Sequence, residues 1–226
     1  MDIVESIKSV LAPPHKAGYP FIAAGAAVVV LGLLVFVPLA WVGLALVLFC
    51  LYFFRDPERV VPPRAGVFVA PADGLVVSIE PAVPPLELGL GPLPRTRIAI
   101  FLSVLDVHVN RAPITGTVTK IAYHPGKFLN AADNKASDEN ERNALALRLP
   151  TGEDIAVVQI AGLIARRILC DAKVGQVLTT GERFGIIRFG SRTDLYLPEG
   201  ILPLVSVGQR MIGGETVLAE LGRLSA

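Results

Sequence analysis

The feature that most constrains this chain is a run of thirty-five residues, 20–54, that carries no charge: PFIAAGAAVVVLGLLVFVPLAWVGLALVLFCLYFF. As a single helix it would reach roughly 50 Å, against a bilayer hydrocarbon core of about 30 Å. One straight span is too long and two spans are short. Pro38 lies near the middle, lacks an N–H and clashes with the preceding turn. The pattern therefore predicts a tight helical hairpin, about Pro20–Val37 and Leu39–Phe54, in preference to a segment that only dips into the bilayer. Lys8, His15 and Lys16 precede the run and Arg55, Arg59 and Arg64 follow it. Basic flanks on both sides favour two cytoplasmic ends, which a hairpin permits and a single span does not. A signal peptide would be shorter and end in a small-residue cleavage site, and none stands out before Arg55.

The remaining residues suffice for one further domain of the 226. Lys and Arg total 21 against 20 Asp and Glu, so no global basic field invites nucleic acid. Disorder is excluded by the apolar fraction of 52%. Cys50 and Cys170 belong to no CxxC pair, which argues against a disulfide scaffold or a cysteine zinc site, and no metal is expected. After Phe54 a Pro-marked linker gives way to short β-branched runs: Gly66–Ala70, Gly74–Ile79, Arg97–Leu102, Gly116–Tyr123, Ala144–Leu149 and Asp154–Ile160. Residues 82–95, with four prolines, show no strand pattern, and Asn130–Asn143 reads as a polar loop or short helix. The expected fold is mostly β (α+β): a cytoplasmic segment 1–19, a membrane hairpin 20–54 and a β domain 55–226 with long connections.

An internal repeat lies near the C-terminus. Val174-Gly175-Gln176 is followed by Gly181-Glu182, and Val207-Gly208-Gln209 by Gly214-Glu215. Each half reads as strand, Gly turn and strand, the pairing of a small β-sandwich of related hairpins. It looks like the half-repeat of biotinyl- and lipoyl-type barrel-sandwich domains. Between the halves lies Arg188-Phe189-Gly190-Ser191-Arg192, after one apolar strand and before another. A hydroxyl that follows glycine can attack the preceding carbonyl, because glycine admits the strained backbone that attack requires. Serine needs a base. Of the three histidines, His15 precedes the membrane run and His124 sits in a Tyr-His-Pro-Gly turn. His108 lies where an apolar strand meets alternating polar positions, so Asp106, His108 and Asn110 share a face if the strand continues. By the residues alone His108 is either functional or structural, and Asp73 of Pro-Ala-Asp-Gly is a plain turn residue.

Taken in order, six pieces resemble the phosphatidylserine decarboxylase family in its short form. They are Phe-Phe-Arg-Asp-Pro at 53–57 after the hairpin, Pro-Ala-Asp-Gly at 71–74, Ser-Val-Leu-Asp-Val-His-Val-Asn-Arg at 103–111, Pro-Gly-Lys-Phe at 125–128, Asn-Glu-Arg at 140–142 and Phe-Gly-Ser at 189–191. The resemblance covers nearly the whole chain. It implies a proenzyme that cleaves itself between Gly190 and Ser191, into a β chain 1–190 and an α chain 191–226 capped by a pyruvoyl group made from Ser191. Ser191, His108 and Asp73 match the family's self-cleavage residues, with Asp73 orienting His108 and His108 moving protons. The pyruvoyl group would form a Schiff base with phosphatidylserine in the membrane and accept the electrons released with CO2, leaving phosphatidylethanolamine. The two chains would form a heterodimer, possible as a homo-oligomer, at the cell membrane with its catalytic domain cytoplasmic.

One departure is Arg111, where long-form relatives carry a second histidine three residues after the first. Arg111 could pair with a substrate phosphate or carboxylate, or form a structural ion pair. Lys127, Asn140 and Arg142 belong to matched motifs and would order loops or touch substrate. Arg166-Arg167 reads as a solvated edge or membrane-facing rim. A lipoyl-like carrier is disfavoured because no lysine occurs from 174 to 226. A plain membrane-anchored adaptor, or a decarboxylase of an ether-linked serine lipid, are the remaining alternatives.

Overall fold

The computed structural model describes residues 12–126, 140–162, 167–188 and 190–224. The chain divides into two compact units, one ending at Glu58 and one beginning at Arg59. Residues 55–58 stay with the first unit because the Asp56 N–H bonds the Pro13 carbonyl at 2.9 Å and Arg55 bridges to Pro14.

The first unit is a pair of apolar helices, α1 (Tyr19–Val35) and α2 (Val37–Phe53). The break falls at Phe36, whose extended backbone (φ −158°, ψ 99°) ends one helix and starts the next. Pro38 is not the break. It occupies the first turn of α2, as Pro20 does in α1, where a missing N–H costs no helical bond. The two helices meet through small residues: a Cβ added to Gly32 would lie 2.2 Å from the Ala40 nitrogen, and one on Gly43 2.6 Å from that of Val29. At the open end the His15 N–H bonds the Phe54 carbonyl at 2.7 Å and Phe21 stacks on Phe54. The helical segment Lys16–Val35 is long and apolar enough to cross a membrane, and α2 is a shorter apolar helix of 17 residues. Leu34, Val35, Phe36 and Trp41 present bare apolar surface at and near the hairpin tip. Such a surface suits a hydrocarbon solvent.

The second unit is built from antiparallel strands. β1 (Val67–Val69), β2 (Gly74–Ala82), β3 (Arg95–Leu102), β4 (Val109–Arg111), β5 (Gly116–His124), β6 (Arg142–Arg148) and β7 (Asp154–Ala161) come first. They are followed by β8 (Ile168–Cys170), β9 (Val177–Leu178), β10 (Arg183–Ile187), β11 (Ser191–Tyr196), β12 (Ile201–Pro203), β13 (Arg210–Met211) and β14 (Val217–Leu224). Eight form one curled sheet in the order β13-β2-β3-β11-β7-β6-β5-β9; β1-β14-β12 and β4-β10-β8 are smaller sheets. The main core gathers the apolar faces, including Phe68, Ile100, Leu145, Val157, Phe184, Leu195 and Leu218. The alternating apolar runs explain the strands. His124 ends β5 as an exposed strand residue, where a turn was expected. Of the polar segment 130–143, Arg142 and Asn143 open β6, and residues 130–139 lie outside the described residues.

The repeat has a physical counterpart. The Gly175 N–H and Gln176 carbonyl bond both sides of Val118; the Gly208 N–H and Gln209 carbonyl bond Val76 in the same way. Gly181 and Gly214 then donate to Ala112 and Ala70, each at 2.8 Å. β9 thus caps β5 as β13 caps β2. Asp73, just before β2, and Thr115, just before β5, occupy equivalent places.

Candidate active site

β11 lies between β3 and β7, so its first residue is fixed on both sides: Ser191 faces Leu102 and Ala161. Strand alternation points Ser191 and Thr193 toward one face and Arg192 and Asp194 toward the other. Ser191 is fully buried, and its Oγ has no hydrogen-bond partner among the described residues. A buried hydroxyl left so is costly, so a structural role explains it poorly.

Gly190, immediately before it, has φ +69° with open space where a Cβ would be. The constraint is therefore conformational rather than steric: only glycine enters that region freely. The Gly190 N–H donates to His108 Nε2 at 3.3 Å, and its carbonyl accepts from the Gly162 N–H at 3.1 Å. His108 is fully buried, with Nδ1 at 2.9 Å from the Asp106 carbonyl. A carbonyl can only accept, so Nδ1 carries the proton and Nε2 presents its lone pair to the Gly190 peptide. The Nδ1 position that triad logic reserves for Asp73 thus holds a backbone oxygen.

Asp73 sits in a neighbouring cluster. Its carboxylate accepts from Arg59 at 2.7 Å and 2.9 Å and from the Gly213 N–H at 2.8 Å. Burial raises its pKa above the ordinary carboxylate value, against the lowering pull of Arg59. Arg111 joins this cluster: Arg111 and Arg59 both approach Gly214, and Arg111 donates to the Gly181 carbonyl at 3.0 Å. Arg59, read in the sequence only as a membrane flank, is the partner that reading missed, since nothing in the spacing ties 59 to 73.

Beneath Ser191 runs a buried amide ladder. Asn143 donates to Gln159 at 2.9 Å, Gln159 to Asn110 at 2.7 Å and Asn110 to Thr193 at 3.3 Å. It ties the His108 strand to the Ser191 strand. The sequence put Asp106, His108 and Asn110 on one face if the strand continued; β3 instead ends at Leu102, a turn follows, and of the three only Asn110 lies in a strand, β4. Gln159 looked like an ordinary strand residue, and Asn143 like the end of a polar loop. On the other face, Arg192 forks onto Asp194 at 2.8 Å and 2.9 Å, both fully buried. Burial and Asp194 push the Tyr196 phenol up to about 12.

That face floors a groove of about 710 Å³, lined by Leu86, Arg97, Arg142, Ile160, Asp194 and Tyr196. Arg142 pairs with Glu87 across it at 2.9 Å. Asn140 is fully buried and donates to the Ala161 carbonyl at 2.7 Å. Gly190, Ser191 and His108 are therefore brought together, Asn140 lies one strand away, and Asp73 with Arg111 and the groove with Arg142 are separate neighbours. Lys127 and Arg166 lie outside the described residues, and Arg167 is exposed. Among the described residues no His, Cys, Asp and Glu gather into a metal site.

Among the described residues a buried serine hydroxyl without a partner follows a left-handed glycine, and a buried histidine accepts from that glycine's N–H. Comparison with known proteins gives this site a family. The phosphatidylserine decarboxylase family model matches residues 46–219. A protein of Granulibacter bethesdensis is 67% identical over 98% of this chain and 91% of its own length. One of Cereibacter sphaeroides is 62% identical over 96% and 94%, and one of Gluconacetobacter diazotrophicus 62% identical over 98% and 100%. All three are named phosphatidylserine decarboxylase proenzyme. The chain belongs to the phosphatidylserine decarboxylase family.

Proposed function

We propose that Ser191 is the residue converted to the pyruvoyl group, that the chain is cut after Gly190, and that His108 with Asp73 serves the cut. The activity is that of the family: a self-cleaving, pyruvoyl-dependent carboxy-lyase that turns phosphatidylserine into phosphatidylethanolamine and CO2 at a membrane. The buried, partnerless Oγ of Ser191 beside Gly190 carries the assignment. The residues present fit a group made in place, because the reacting atoms already belong to β11. Once formed, the pyruvoyl ketone supplies an electron sink for decarboxylation of a bound amine.

His108 Nε2 takes the Ser191 hydroxyl proton as Oγ adds to the Gly190 carbon, then returns it to the departing nitrogen. The Asp106 carbonyl holds the ring, and Asp73 supports the cut from its neighbouring cluster with Arg59. After the cut, His108 remains beside residue 191 to donate a proton to substrate. Arg142 in the groove and Arg111 beside Asp73 are the candidates for the substrate's phosphate and carboxylate, with Lys127 a further candidate; Asn140 orders the site. The repeat supports a lipoyl-like barrel-sandwich. The helix pair supports a membrane hairpin with both ends and the β domain cytoplasmic. Chains 1–190 and 191–226 then remain paired through β11, as a heterodimer able to assemble further.

Electrophoresis tests the assignment. Ser191→Ala and His108→Ala should each leave one uncleaved, inactive chain. Appearance of the small fragment in Ser191→Ala would sink the cleavage site, and normal cleavage and turnover in His108→Ala would make that histidine structural.

A further inference from the structure

We infer that the backbone N–H of Gly162 is the oxyanion donor for self-cleavage, and that Asn140 is the positioning residue that aims it. The inference rests on Gly190–Ser191 being the bond that breaks. Ser191 and Ala161 form a ladder pair whose flanking residues bond across, which brings the Gly162 N–H to 3.1 Å from the Gly190 carbonyl oxygen. That oxygen is the atom that becomes negative when Oγ adds to the carbon. A neutral sheet bond in the resting chain thus becomes charge-assisted at the transition state, where such bonds are roughly twice as strong.

The donor is held from behind. Ala161 C=O and Gly162 N–H belong to one peptide plane. Asn140 Nδ2 donates to that carbonyl at 2.7 Å, and the Ala161 N–H bonds the Glu141 carbonyl at 2.9 Å. Donation into the carbonyl polarises the amide and strengthens its N–H as a donor. Asn140 is fully buried, which a loop-ordering role alone does not require.

The steps balance. The Oγ–C bond forms and the hydroxyl proton passes to His108 Nε2. The oxyanion, held by Gly162, collapses; the C–N bond breaks and the proton moves to the Ser191 nitrogen, leaving an ester. Loss of the residue 191 Cα proton then breaks the Cβ–Oγ bond and releases Gly190 as a carboxylate. The dehydroalanine takes up water and loses ammonia. Gly162 now faces that new carboxylate.

The experiment follows maturation of freshly made full-length proenzyme in membranes, with hydroxylamine present in parallel samples to trap the ester. Gly162→Pro removes the N–H, and the extended Ala161 tolerates a following proline. Cleavage should slow about 100-fold or more, the usual cost of one oxyanion donor, with no trapped ester. Asn140→Ala should slow cleavage less, and Asn140→Gln should recover part of the rate. Should Gly162→Pro melt much lower in a Ser191→Ala background, glycolic acid at 162, which replaces the N–H by an ester oxygen, decides in the samples without hydroxylamine. Cleavage of the proline or glycolate chain at a near-normal rate, or accumulation of trapped ester, overturns the inference. Cleavage of the unsubstituted chain elsewhere than after Gly190 overturns the parent assignment as well, and only that result does so.

Discussion

At the residue scale, the site depends on a few atoms in unusual settings. Gly190 is the clearest. A side chain there meets no neighbour among the described residues, so substitution costs the left-handed backbone, about 1–2 kcal/mol. Cleavage rates should therefore fall in the order Gly, Asn, Ala at position 190, because asparagine enters that region more readily. Equal rates for Asn and Ala would contradict the conformational argument. Asp73 gives a pH signature. Its folded pKa is raised by burial, so the stability linked to it is fullest below the ordinary carboxylate value and is lost as pH rises through the raised one. Protonating it on acidification should slow cleavage, at a pH above that of a free aspartate. Arg59→Gln removes the lowering influence and should move this acid limb to higher pH; a downward shift in the pH profile would contradict it. Cys170 is the third case: burial pushes its thiol up. Iodoacetamide should label it far more slowly than a free thiol at pH 8, as read by peptide mass in the native chain, and rapid labelling would show an opened β8 edge.

At the element scale, strands and helices were largely legible and their joints were not. The apolar run showed two helices because length and absence of charge leave few alternatives. The hinge at Phe36 was invisible, since proline marks either a break or a first turn and here it marks the latter. Strand cores were visible through β-branched runs, but β6 was expected to begin at Ala144. It begins at Arg142, because Arg142 and Asn143 pair with Ile160 and Gln159. Ser191, Gly190 and His108 were visible through motif order. Arg59, Gln159 and Gly162 were not, because each meets its partner through a contact between distant parts of the chain that sequence spacing does not encode. The amide ladder is an element-scale device with its own test. Gln159→Leu strands Asn110 and Asn143, and should cost about 2–4 kcal/mol measured by denaturant unfolding in a Ser191→Ala background. A change below about 0.5 kcal/mol would mean the ladder carries little.

At the scale of the whole molecule, one unit holds the chain at a membrane and the other holds a strand fixed between two neighbours. Removing residues 1–58 should leave a chain that no longer sediments fully with membranes, and full sedimentation would make the hairpin dispensable as an anchor. The central claim is that the sheet around β11 converts its own first residue. An intact-mass spectrum of the purified protein tests it most directly. The account predicts two chains divided after Gly190, the 36-residue fragment lighter by one ammonia than a serine-started chain and blocked to amine labelling. A single unmodified chain that stays uncleaved in phosphatidylserine membranes, or a small fragment with a free amino terminus, would contradict it.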